Sequence, residues 1–287
     1  MSAITAAAVN ELRKRTDLPL MECKSALTEA AGDMDKAVML LRERFKSVSN
    51  KRAGNETAEG RVGVYIDAGT KTASILEMRC ESAPVTKSEQ FIALVADLAK
   101  QVAVQNPADV ATLSAAPFVG NSALTVTDRI NEVIGLIREN MKVQRFTRLT
   151  GGLYGNYIHH DGTLGVLLEV TGKDTASPEL LRDICAHIAA MNPVYASVDQ
   201  LPTDVLEREK ELAKKLTDAD PKNAGKPANI VEKIIEGKLK TWYAETVLLE
   251  QPIANAAKYD KKTVGQLLSG AGLKLVKYVR YKVGEIV

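Results

Sequence analysis

The chain has 287 residues, 45% of them hydrophobic and 26% charged, ordinary globular values that exclude a mostly disordered or fibrous protein. That length suffices for two or three units, each able to bury a core of its own. A net charge of +2 without a basic stripe argues against direct binding of nucleic acid by phosphate neutralisation.

The opening stretch MSAITAAAVNELRKRT has no basic region followed by an apolar core, and nowhere do eighteen apolar residues run together. The expectation is a cytoplasmic chain with no membrane segment. Three helical patterns follow one another over residues 1–46. Val9 and Leu12, then Leu20, Cys23 and Leu27, then Ala37, Val38 and Leu41 repeat at the spacing of one apolar face. Pro19 suits a first helical turn, and Gly32-Asp33 gives a stop followed by a polar start. The sequence thus predicts a small three-helix module. KSVSNKRAGNETAEG is polar and without apolar periodicity, so residues 47–60 read as a linker.

RVGVYID and TASILEMRC alternate around the turn DAGT, predicting a β-hairpin in which Val62, Val64 and Ile66 face Leu76, Met78 and Cys80. RCESAPV then connects to a helix with the stripe Phe91, Leu94, Val95, Leu98 and Val102, and Thr86 with Glu89 fits a capping box for its start. VTDRINEVIGLIREN carries Ile130, Val133, Ile134 and Ile137 on one helical face, and MKVQRFTRL reads as a joining strand. The plan then repeats. YGNYIHHDGTLGVLLEVTG is a second hairpin, and SPELLRDICAHIAAMNP a second helix that begins at Ser177-Pro178. The two helices leave by Asn106-Pro107 and Asn192-Pro193, which points to an internal duplication. The second copy carries an inserted antiparallel helical hairpin over about 203–243, and KLVKYVRYKVGEIV alternates as a strand. The fold class read from these patterns is α+β: a helical module at 1–46, a first core subdomain at 61–150 and a second at 151–287.

Chemistry-bearing motifs are scarce. HExxH, GxSxG, GxxxxGK[ST] and a strand-bound GxGxxG are all missing from the sequence. Cys23, Cys80 and Cys185 lie far apart in apolar segments without CxxC spacing, which reads as buried free thiols rather than a disulfide or metal set. His159 and His160 flank the turn HDGT, and His187 lies between Ile184 and Ile188 on a helix. Cys80 with His160 is the one conceivable thiol pair. No catalytic residue, cofactor site or metal site is assigned, and the residues describe an interaction protein of several parts.

The stretch VNELRKRTDLPLMECKSALTEAAGDMDKAVMLLR resembles the N-terminal module of the bacterial elongation factor Ts family, as do NYIHHDGTLGVLLEV, HIAAMNP, GKPANIVEKIIEGKLKTWYAETVLLEQP and KTVGQLL further on. The resemblance runs in unbroken order from Val9 to Glu285. It implies a guanine nucleotide exchange factor that binds the translational GTPase elongation factor Tu with GDP, disturbs its Mg²⁺ and phosphate site and lets GTP follow, without covalent chemistry. It also implies that the N-terminal module docks on the partner through Leu12, Leu20, Met21 and Lys24, although Leu12 and Leu20 equally suit a core. After the strand cysteine, where the family usually has Thr-Asp-Phe-Val, this chain has Ser82, Ala83, Pro84 and Val85. The resemblance makes these the element that dislocates the partner's Mg²⁺, with a rigid proline in place of an aromatic wedge; a plain helix start is the other reading. His159 stands at the family's Tyr-x-His position, as a partner contact or simply a hairpin-end histidine. The helical hairpin matches the family's protruding pair. An adaptor of the same fold that binds the GTPase without exchanging its nucleotide is the alternative function.

Overall fold

The computed structural model describes residues 4–16, 18–173 and 176–285. Helices α1 (Ala6–Thr16), α2 (Leu20–Glu29) and α3 (Met34–Arg52) pack around Leu12, Leu27 and Leu41. Pro19 stands directly before α2, and Asp33 caps α3 by accepting from the N–H groups of Asp35 and Lys36 at 3.1 and 3.0 Å. The linker expected over 47–60 is a correction. α3 continues to Arg52 and the first strand begins at Glu59. Phe45 is buried in the helical module and Val48 packs against the next core, so the apolar stripe does run on from Leu41 at spacings of four and three. Lys51 and Arg52 in the last turn further suit a helix C-terminus.

β1 (Glu59–Asp67) and β2 (Thr72–Cys80) form an antiparallel hairpin, followed by a 3₁₀ turn at Ala83–Lys87 and helix α4 (Glu89–Gln105). Next come α5 (Val110–Ala115), a two-strand ribbon of β3 (Pro117–Phe118) and β4 (Asn121–Thr125), α6 (Val126–Ile137) and β5 (Met141–Thr150). β6 (Leu153–Ile158), β7 (Leu164–Gly172) and α7 (Pro178–Met191) repeat the strand–strand–helix order. The chain then forms α8 (Thr203–Asp218), α9 (Ala228–Thr246), α10 (Ala256–Tyr259), α11 (Val264–Gly270) and β8 (Leu273–Lys282). Residues 286 and 287, which end the expected last strand, lie outside the described residues. The architecture is α+β, with antiparallel sheets in the orders β1-β2-β5 and β6-β7-β8. Both middle strands carry an irregularity directly after a glutamate, at Glu77/Met78 and Glu169/Val170. Both leading helices end in a left-handed asparagine, Asn106 and Asn192.

The two sheets pack face to face. Val62, Ala73, Ile75 and Leu149 of the first meet Leu167 and Tyr281 of the second. The outer face of the first sheet is covered by α4 and α6, around the fully buried Phe91, and that of the second by α7 and α11. The result is helix, sheet, sheet, helix. This layering corrects the expected register of the first hairpin. Val62 pairs with Glu77 and Val64 with Ile75, so Leu76, Met78 and Cys80 point the opposite way, under α4. β2 is apolar on both faces, and alternation cannot fix the register of a strand buried twice. Glu77 is fully buried and receives the Nε–H of Arg79 and of Arg145, each at 2.7 Å. Arg145 also lies 4.2 Å over the Tyr281 ring of the other sheet, so this charge cluster ties the layers together.

Candidate functional site

Residues 82–85 leave β2 at the edge of the first core. Ser82 is fastened twice to Glu139, its N–H donating to Oε2 at 3.0 Å and its hydroxyl to Oε1 at 2.6 Å. Val85 is 7% exposed and belongs to the core beneath α4. Only Ala83 and Pro84 project into solvent. The capping box expected at Thr86 and Glu89 is a correction. Thr86 sits inside the 3₁₀ turn with its hydroxyl donating to the Ala83 carbonyl at 2.7 Å, and Ser88 caps α4 by accepting the Phe91 N–H at 3.3 Å. The four residues are therefore a two-residue tip held by two anchors, with proline in the opening positions of the 3₁₀ turn, where its fixed φ is tolerated.

The β6–β7 turn lies against the same end. Val62 donates its N–H to the Gly162 carbonyl at 2.8 Å. Gly162 has φ +78, and a Cβ there would stand 2.6 Å from the Arg61 guanidinium, so a side chain would be strained and would push the arginine aside. Arg61 in turn donates to the Thr86 carbonyl at 3.4 Å. One arginine thus joins the tip at 83–84 to the turn that carries His159. His159 is half-buried; its Nδ1 is 3.0 Å from the Tyr157 hydroxyl and its ring 4.3 Å from that of the exposed His160.

Among the N-terminal candidates, Leu20 and Met21 are 45% and 69% exposed, and Lys24 is exposed one turn further along α2. Together they form an apolar spot with a positive charge. Leu12 is different. It is fully buried between the three helices and supports that surface from beneath. α8 and α9 lie against one another with only Ala213, Thr217 and Leu239 buried, leaving Leu212, Leu216 and Ile230 exposed.

Cys80 and His160 do not meet as a nucleophile and base. Cys80 is buried with its thiol directed to the Ser82 carbonyl at 3.5 Å, and burial, then the charges of Glu139 and Glu59, push its pKa up to about 12. His187 is buried as well. Its Nδ1 accepts the Ala254 N–H at 3.0 Å, which leaves Nε2–H to donate to Gln251 Oε1 at 2.9 Å, a neutral imidazole holding two segments together. Among the described residues, no cluster of three or more His, Cys, Asp or Glu could hold a metal, and no helix is long and apolar enough to cross a membrane. Sequence reasoning missed Glu139, Arg61 and Arg138. Each is a charged residue outside any motif, and its role depends on contacts 25 to 116 positions away along the chain.

The family model described as Elongation factor TS matches residues 84–285. A protein named Elongation factor Ts from Thiobacillus denitrificans is 43% identical over 286 residues, covering 99% of this chain and 93% of its own length. Its namesake from Cupriavidus taiwanensis is 42% identical over 287 residues, with 99% and 92% covered, and that of Burkholderia mallei is 40% identical over 286 residues, with the same coverage.

Proposed function

Since the chain belongs to the elongation factor Ts family, we propose that it is a guanine nucleotide exchange factor of translation elongation, acting in the cytoplasm on elongation factor Tu. End-to-end similarity to proteins of that name carries this reading. The exposed surfaces fit it. Leu20, Met21 and Lys24 offer a docking patch on the nucleotide domain of the GTPase, while Ala83 and Pro84 form a stiff tip to press beside its Mg²⁺ site, with His159 close by. No bond is made or broken. The protein binds the nucleotide-free GTPase more tightly than the GDP form, and linkage requires that it weaken GDP by the same factor. Each tenfold change in nucleotide affinity takes about 1.4 kcal/mol of this differential binding.

Release of fluorescent GDP from the cognate elongation factor Tu tests the proposal. A substoichiometric amount of this protein should empty many GTPase molecules. The exposed tip consists of an alanine and a proline, without the family's aromatic and carboxylate, and this favours one second reading, an adaptor that binds without exchange. Stable binding with release at the spontaneous rate would establish the adaptor in place of the exchange factor.

A further inference from the structure

The last turn of α6 and the three residues after it touch the helical module, the root of the exposed tip and the segment joining α3 to β1. Gly135 receives the Phe45 ring of α3 so closely that a Cβ would overlap it, and Leu136 packs into the core of the helical module. Arg138 ends the helix in the left-handed region at φ +63, and its guanidinium reaches Glu22 at 3.3 Å. Glu22 lies on α2 beside Met21 and is shared with Arg44 at 3.6 Å. Turned back by that left-handed residue, Glu139 takes both hydrogen bonds of Ser82. Asn140 is buried; its backbone N–H donates to Glu81, and its side chain donates to the carbonyls of Asn55 at 2.9 Å and Ala53 at 3.4 Å. Glu81 closes the circuit by accepting from Asn55 at 2.9 Å. Three consecutive side chains therefore tie down, in turn, the docking helix, the root of the exposed tip and the segment joining α3 to β1.

We propose that Arg138, Glu139 and Asn140 are positioning residues that hold the α2 patch and the Ala83-Pro84 tip at one fixed span, so that docking through the first delivers the second against the GTPase. The inference rests on the exchange reading for its consequence, but its mechanical part stands apart from that reading. A tip of two small residues has little reach, so its effect depends on where it is held. The ties of Glu139 and Asn140 are charge-assisted or buried, the kinds of hydrogen bond that contribute most to fixing a geometry, while Arg138 to Glu22 is a surface ion pair that adds direction more than strength. If the tip were loose, binding energy at α2 would go into ordering it rather than into displacing the nucleotide's surroundings.

Two measurements decide the matter. Nitroxide labels on Thr28→Cys and Ala83→Cys, both exposed positions, report the span by pulsed dipolar spectroscopy, and the three native thiols are buried. The otherwise wild-type chain should give one narrow distance distribution, and Glu139→Ala or Arg138→Gly a broad one. Arg138→Gly suits the left-handed backbone, so it reports on a folded protein even if Glu139→Ala does not fold. In unlabelled proteins, Glu139→Ala should lower the saturating rate of GDP release at least about tenfold, from the loss of two hydrogen bonds to a carboxylate. Its half-saturating concentration should change little, whereas Arg138→Gly should raise that concentration. Glu139→Gln keeps an acceptor for Ser82 and should recover part of the rate. Narrow distributions in both variants would show a span fixed without these ties and overturn their role in holding it. Broad ones with wild-type release rates, or equal rates for Glu139→Gln and Glu139→Ala, would overturn its role in exchange. Failure of the wild-type chain to accelerate release would instead refute the exchange reading and leave the distance result to judge the ties.

Discussion

At Pro84 a single ring sets the shape of the exposed tip. Ser82 and Val85 are held from below, so the freedom left to residues 83 and 84 is the freedom that proline removes. Pro84→Gly should slow GDP release about two- to fivefold, the equivalent of about 0.4–1 kcal/mol of added loop entropy. Ala83→Asp with Pro84→Phe should keep or raise the rate if the partner has a receiving pocket. Stopped-flow traces for both variants check this, and wild-type kinetics for Pro84→Gly would reduce the turn to a helix start. Cys80 yields a second expectation. With its thiol near pKa 12, only about one molecule in ten thousand carries the thiolate at pH 8. Iodoacetamide at that pH should leave Cys80 unmodified by mass spectrometry and leave GDP release unchanged, whereas loss of activity with alkylation there would revive the thiol reading. The tip was legible in sequence as a place, because the strand cysteine and the following helix stripe bracket it. Its anchoring was not, since nothing around Ser82 points to Glu139, 57 positions away.

Among the elements, α3 and α6 form the seam between the helical module and the first core. Phe45 lies over Gly135, with Val48 on one side of the seam and Leu136 on the other. In an open helix, alanine would be better than glycine by roughly 0.8–1.0 kcal/mol. Here a methyl group would meet a buried ring near its root, and overpacking of this kind costs about 1–3 kcal/mol. Gly135→Ala should therefore lower the midpoint of thermal unfolding by a few degrees, about 2–4 °C per kcal/mol for a chain of this size class. Calorimetry checks the sign, and a rise would mean that the seam is looser than the packing indicates. Deleting residues 1–46 would cut α3 within its length and bare that seam. A truncation that tests docking should therefore fall at 53–58 and be accompanied by a check of the exposed α6 face. The longer helices were legible from their stripes, Ser177 and Asn192 included, whereas α5, α10 and α11 were not, being too short to show a period. The linker was misread because lysine, serine and asparagine dilute the stripe after Phe45, although Val48 continues it. The hairpin register was misread because β2 is buried on both faces, which leaves no polar side to mark direction.

Across the whole molecule, His187 links α7 to the segment around Gln251 and Ala254 behind the second sheet. Burial lowers its pKa below the ordinary 6.5, against the opposing bond to Gln251. The native state thus binds this proton less readily than the unfolded chain, and protonation of Nδ1 would set one donor against the Ala254 N–H. The stability this contributes is complete above pH 6.5 and is lost as pH falls from there through the lower native value. Urea unfolding between pH 8 and 5 should show stability declining below about pH 6.5, and His187→Gln should flatten that decline. An unchanged slope in the variant would assign it to other groups. The order of strands has a consequence in time. β7 must wait for β8, whose residues come a hundred positions later, and Tyr281 of β8 fills the layer between the sheets. At ribosomal speeds of about 5–20 residues per second, that interval lasts roughly 5–20 s. For those seconds the edge of β7 that β8 will pair stays open, and the nascent chain is exposed to mispairing there until its last strand is made.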